Sequence, residues 1–226
     1  MTISTSHSRS KAVTDDREAL ACICGIRAQN EGADVLLSLL TKEGEKRQLT
    51  ITMEQYLDLH IKKGEALSFE RMEALEEAAA FCGALRCGEN LLAYAPSPTL
   101  ALARKIVQHG HKRAVAEAAA NELAKKGLIN EMALLKREVN RCVKKLWGQR
   151  RIRSYLWTRG YGKDALDSLD DLLLDIEFSE VCAELIRKQC GSLPKDPEER
   201  QKLKAKLVRY GYSPEEIRQA FRLLSE

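Results

Sequence analysis

The chain has 226 residues, 44% of them hydrophobic and 31% charged, which gives enough apolar content for a buried core and excludes a disordered protein. Lys and Arg outnumber Asp and Glu by only 37 to 33, so the net charge of +4 says less than where the charges sit. No run reaches the roughly eighteen apolar residues of a membrane span, and the opening MTISTSHSRSK lacks the apolar stretch of a signal peptide, so a soluble, cytoplasmic protein with no membrane contact is expected. Seven cysteines at 22, 24, 82, 87, 142, 182 and 190 are odd in number and irregular in spacing. They predict reduced thiols acting as small buried hydrophobes rather than a disulfide framework or a metal site.

In chain order, residues 1–17 are rich in Ser, Thr and charge without apolar periodicity and read as a disordered tail. From Leu20 the runs ACICGIRA, ADVLLSLLT and RQLTIT, separated by Asn30-Glu31-Gly32 and Lys42-Glu43-Gly44, predict a small antiparallel sheet of about three strands. A short helix around EQYLDLH follows, then a Lys63-Gly64 turn, and the whole of 18–75 reads as a β-rich N-terminal domain. Ser68 is placed to cap a helix over FERMEALEEAAAF, and beyond it the pattern is helical throughout.

The helical part repeats at about fifty residues, aligning ARKIVQHGHKRAVAEAAANEL from Ala103, RSYLWTRGYGKDALDSLDDLL from Arg153 and KAKLVRYGYSPEEIRQAFRLL from Lys204. Gly110, Gly160 and Gly211 become equivalent, each followed by a ring (His111, Tyr161, Tyr212) and each suited to the left-handed position after a helix. The next helix starts at once, most clearly where Ser213-Pro214-Glu215-Glu216 forms a capping box ahead of an apolar face of Ile217, Ala220, Phe221 and Leu224. The second copy offers Leu166, Leu169 and Leu173 at helical spacing, preceded by a helix with Leu135, Val139, Cys142 and Leu146 on one face. The predicted architecture is mostly α: three tandem three-helix repeats over 76–127, 128–177 and 178–226, stacked into an elongated curved array behind the small antiparallel β domain.

Charge is concentrated in the second repeat. Lys136, Arg137, Arg141, Lys144, Lys145, Arg150, Arg151, Arg153 and Arg159 face a single acid, Glu138. Arg137, Arg141 and Lys144 recur opposite the apolar face, forming a basic stripe able to meet phosphates in a salt-sensitive, sequence-independent way, or an acidic protein surface. Trp147, Tyr155 and Trp157 supply rings, with both tryptophans read as core positions. Asp164, Asp167, Asp170, Asp171, Asp175 and Glu177 follow as a solvated acidic face. The four histidines (7, 60, 109, 111) fit no catalytic motif, and His109-x-His111 reads as turn packing, so neither an enzyme, a cofactor nor a metal is expected.

The stretch GLINEMALLKREVNRCVKKLWGQRRIRSYLWTRGY resembles the central signature of the RecX family, carried by Gly127, Leu128, Ile129, Gly148, Arg151, Ile152, Leu156, Arg159, Gly160 and Tyr161. LTITMEQYLDLHIKKGEALS is similar to the family's N-terminal stretch, and the likeness runs from about residue 20 to the end. The departures are Asn130 for the usual Asp, Met132-Ala133-Leu134 for Phe-Ala, and Ala95-Pro96-Ser97-Pro98 with Ala101 where an Arg-rich turn, a Ser cap and a Glu-Leu pair are common. The resemblance implies a non-enzymatic modulator, by expectation an inhibitor, of the RecA recombinase in homologous recombination, DNA repair and the SOS response. It would lie along the RecA filament on single-stranded DNA as a monomer, limit ATPase, strand exchange and LexA-type coprotease activity, and promote filament disassembly. The nine basic residues would face RecA or single-stranded DNA, with duplex DNA a further candidate. The rival readings are a stand-alone DNA-binding or transcription-regulatory module, and a nuclease built on the acid cluster with Mg²⁺.

Overall fold

The computed structural model describes residues 19–225, so the tail expected over 1–17 lies outside the described residues. The chain divides into two compact units, one ending at Gly83 and one starting at Ala84. In the first, β1 (Ala21–Gln29), β2 (Asp34–Thr41) and β3 (Lys46–Thr52) form an antiparallel meander. A fourth strand, β4 (Ala66–Leu67), pairs with β1 and gives the order β3-β2-β1-β4. The expected sheet of about three strands is therefore one short, because two residues cannot carry an alternation signal. Alternate positions Val35, Leu37 and Leu39 of β2 point inward with Ile23, Ile51 and Leu67, and they meet Met72 and Leu75. Between β3 and β4, α1 (Met53–Asp58) opens with a Thr52/Gln55 capping box. The long α2 (Phe69–Tyr94) starts where Ser68 Oγ accepts from Arg71 N–H at 3.3 Å.

The second unit is helical. After α2 come α3 (Thr99–Gln108) and α4 (Arg113–Lys125), then α5 (Glu131–Lys144), α6 (Gln149–Thr158), α7 (Lys163–Asp167) and α8 (Leu169–Leu173). The last three are α9 (Phe178–Cys190), α10 (Pro197–Arg209) and α11 (Pro214–Leu223). Gly110, Gly160 and Gly211 take φ of 97°, 86° and 95°. At each the glycine N–H bonds the carbonyl three residues back and the following N–H bonds the one five back, closing α3, α6 and α10 with the same Schellman turn. The Ser213/Glu216 capping box is formed at α11.

Two helical expectations need correction. The second copy's Leu166, Leu169 and Leu173 are all buried, but the helix breaks between α7 and α8 at Ser168, whose hydroxyl donates to the Asp164 carbonyl at 3.1 Å. Leu146 is not on the face of α5, which ends two residues earlier; it sits at φ 57° in the position the other turns give to glycine. A left-handed leucine costs about 1–2 kcal/mol. Burial of its side chain (7% exposed) and a hydrogen bond from Tyr212 Oη to its carbonyl at 2.9 Å offset that cost.

Helices α5 to α11 share one core, in which Leu156, Cys182, Leu207 and Tyr212 are fully enclosed. Within it the turn at Gly211 interlocks with the start of α6. Gly148 N–H donates to the Tyr210 carbonyl at 2.9 Å and Arg150 N–H to the Gly211 carbonyl at 3.1 Å. A Cβ on Gly211 would lie 2.4 Å from Arg151 N, and one on Gly148 2.4 Å from the Gly211 carbonyl carbon. The turn at Gly160 meets the start of α3 in the same way, 2.8 Å from Ala101 N, whereas a Cβ on Gly110 would meet nothing within 4 Å. Cys82, Cys142 and Cys182 are buried as expected of small hydrophobes; Cys22 and Cys87 are half-buried, and Cys24 and Cys190, against expectation, are exposed. Cys24 faces outward beside the bulge at Ile23/Gly25, and Cys190 ends its helix.

Candidate nucleic-acid interface

Helix α5 is fixed at its start by Asn130, whose side chain accepts from Ala133 N–H at 2.9 Å, and by Glu131, which accepts from Thr99 N–H at the head of α3 at 2.9 Å. Leu135, Val139 and Cys142 turn inward, leaving Lys136, Arg137, Arg141 and Lys144 exposed on the opposite side. Glu138, the lone acid of the basic stretch, is only 6% exposed. It lies beneath the cationic surface and organises it, receiving Arg141 at 2.9 Å and Tyr155 Oη at 3.3 Å. Burial, followed by the neighbouring Glu138 charge, raises the Tyr155 pKa, while the Glu138 hydrogen bond raises that of Arg141.

The nine basic residues have different fates. Lys136, Arg137, Lys144, Lys145, Arg150 and Arg159 are exposed. Arg153 bonds Asp170 and the Leu166 carbonyl, which ties α6 to α7 and α8. Arg151 is half-buried, 4.3 Å from the centre of the Trp147 ring and 5.1 Å from that of Tyr210. Trp147 in turn meets Tyr155 edge-on at 5.2 Å, and Arg159 lies 5.8 Å from the Tyr155 ring. Arg159, Tyr155, Trp147, Arg151 and Tyr210 thus form one continuous ladder of guanidinium and aromatic groups. Trp147 packs partly against the core. Trp157 does not: at 62% exposed it corrects the core expectation, because α6 buries Ile152 and Leu156 and carries position 157 to the outer side.

Two recesses flank this ladder. One, of about 290 Å³, is lined by Lys105, Arg137, Arg141 and Arg159 above Glu138, with Ser97, Pro96 and Pro98 as part of its wall. The other, an open groove of about 460 Å³, is lined by Trp147, Arg150, Arg151, Tyr155, Val208 and Arg209. Lys105 and Arg209 are not legible from the sequence because they lie 31 residues before and 50 residues after the basic run, and only the packing of successive helical groups brings them in. The acids Asp164, Asp167, Asp170, Asp171, Asp175 and Glu177 are all exposed, and Asp170 is engaged by Arg153. His109 is exposed, and His111 is half-buried with its N–H closing the α3 turn. Among the described residues no group of three or more His, Cys, Asp or Glu is placed to hold a metal ion, and no helix is long and apolar enough to cross a membrane.

A small antiparallel sheet followed by successive three-helix groups, each with a glycine Schellman turn inside it, and a cationic and aromatic face on the middle group, defines a helical-repeat protein. Residues 175–221 match RecX, third three-helix domain. Regulatory protein RecX of Leptothrix cholodnii (strain ATCC 51168 / LMG 8142 / SP-6) is 31% identical over 122 residues, 54% of this chain and 76% of that protein. The chain belongs to the RecX family. The fold agrees with a crystal structure of regulatory protein RecX at a TM-score of 0.65 and 20% identity, covering 89% of this chain and 98% of that one. RecX from Lactobacillus salivarius gives a TM-score of 0.53 at 18% identity, covering 65% of this chain and 97% of its own.

Proposed function

We propose that this chain is a non-enzymatic modulator, acting as an inhibitor, of RecA, which it engages as a cytoplasmic monomer on the filament that RecA forms on single-stranded DNA. In this reading binding limits ATP hydrolysis, strand exchange and coprotease activity. The contact surface would be carried by the helical segments 76–127, 128–177 and 178–226, which follow the N-terminal domain of 18–75 in the chain. The observation that carries the reading is the cationic face from Lys136 to Arg159, whose single acid, Glu138, is buried beneath it. Lys136, Arg137, Arg141, Lys144, Lys145, Arg150, Arg151 and Arg159 would meet DNA phosphates or acidic RecA surface, with Arg153 holding α6 in place. Membership of the RecX family supports the choice of RecA.

The test is RecA-catalysed ATP hydrolysis on single-stranded DNA with the protein titrated in. Inhibition at well under one molecule per RecA protomer is the expected result. An unchanged hydrolysis rate, with DNA binding retained, would overturn it in favour of a stand-alone DNA-binding module.

A further inference from the structure

We propose that the recess between Lys105, Arg137 and Arg159 is a phosphate site for the backbone of single-stranded nucleic acid, continued by the groove of Arg150 and Arg209 on the other side of Tyr155. The inference rests on the reading that this face meets nucleic acid, and it specifies how.

Three cations reach the recess from three elements: Lys105 from α3, Arg137 from α5 and Arg159 from the residue that caps α6. Lys105 is held by a hydrogen bond to Oγ of the buried Ser97 at 2.6 Å. Among the described residues neither Arg137 nor Arg159 has a carboxylate within ion-pair distance, and the one carboxylate in the wall, Glu138, is matched by Arg141. The recess thus keeps three uncompensated positive charges. A planar carboxylate is satisfied by one two-pronged arginine, whereas a tetrahedral phosphate accepts from several directions, and donors converging from three elements suit the second.

A free phosphate would need only one such place. Here Tyr155 bonds Glu138 in the wall of the first recess, and its ring lines the groove that carries Arg150, Arg151 and Arg209, so the two cationic places are one side chain apart. That arrangement fits a chain of phosphates. The half-buried Tyr155, whose ring lines the groove between the two sets of cations, offers a stacking face to bases that are not paired, which selects a single strand over a duplex.

The experiment needs no RecA, so its failure is separate from failure of the RecA reading. Fluorescence anisotropy of a labelled oligothymidylate is measured against the full chain over a salt series, for wild type, Arg137→Gln/Arg159→Gln, Lys105→Met, and Lys195→Gln/Lys206→Gln. The last pair removes the same charge from exposed positions outside both recesses. The expected result is about a tenfold or greater loss for the arginine pair, with the log-log salt slope shallower by about 1.4 for two lost phosphate contacts. Lys105→Met should weaken binding too, and the Lys195/Lys206 pair should change it by less than about threefold. Equal losses in the two double variants would overturn the site in favour of diffuse attraction. Displacement by polyglutamate as effective as by unlabelled oligothymidylate would overturn it in favour of an acidic protein surface, and equal affinity for duplex would overturn the single-strand assignment.

Discussion

The junction between the second and third helical groups and the junction between the first and second use the same device and end differently. In both, a glycine turn of the later group sits against the start of a helix in the earlier one: Gly211 on α6, Gly160 on α3. At Gly211 the contact is welded by two backbone hydrogen bonds, the buried Tyr212 hydroxyl and one shared apolar core. At Gly160 the groups are joined by side chains, Glu131 on Thr99 N–H and Arg104 on the Thr158 carbonyl, and a recess lined with cations stays open beside the contact. The same turn thus serves stability where polar groups are consumed internally, and leaves an open cationic recess where they are not.

Alanine at the equivalent glycines breaks this comparison most forcefully. Gly211→Ala forces a Cβ into Arg151 backbone and should cost about 3 kcal/mol or more, read as a lowered urea midpoint. Gly160→Ala should fall between that and Gly110→Ala, which meets no atom and costs only the left-handed penalty of about 1–2 kcal/mol. Equal losses at all three would mean that the junctions are not built on these turns. Tyr212→Phe should cost about 1–3 kcal/mol, because the buried Leu146 carbonyl loses its donor.

Alkali gives a gentler probe of the buried groups on both sides: Cys182 in the shared core and Tyr161 at the Gly160 turn. Burial, with a smaller push from Glu216, holds the Cys182 thiol up at about 12 from an ordinary 9.0; burial, with Glu138, holds Tyr161 up at about 12 from 10.0. Both acids ionise first in the unfolded chain, so stability is complete below about pH 9 and is lost as pH rises toward 12. Urea midpoints taken across that range should decline, and Cys182→Ala should flatten the first part of the decline. The smallest effect belongs to the open side: Arg137→Gln/Arg159→Gln removes two exposed charges and should leave the midpoint within about 0.5 kcal/mol of wild type.

The turns and inward helix faces were the more legible in sequence. The spacing of Gly110, Gly160 and Gly211, the capping box at Ser213 and the inward faces of α5 and α11 are local patterns set by backbone geometry and helical period. Leu146 misled because its burial matched the helical period while a contact with Tyr212, 66 residues on, holds it outside the helix. Trp157 misled because hydrophobicity alone does not say which side of α6 a residue takes. The basic run was visible, but its sorting was not: Glu138 beneath Arg141, Arg153 spent on Asp170, and Lys105 and Arg209 drawn in from neighbouring groups are all consequences of tertiary packing.

The most direct test of the claim that the open junction carries the function is RecA-catalysed ATP hydrolysis on single-stranded DNA with Arg137→Gln/Arg159→Gln titrated in beside the wild-type protein. The variant, as stable as wild type, should need about tenfold more protein for half-inhibition. Inhibition at the wild-type ratio by that variant would contradict the claim.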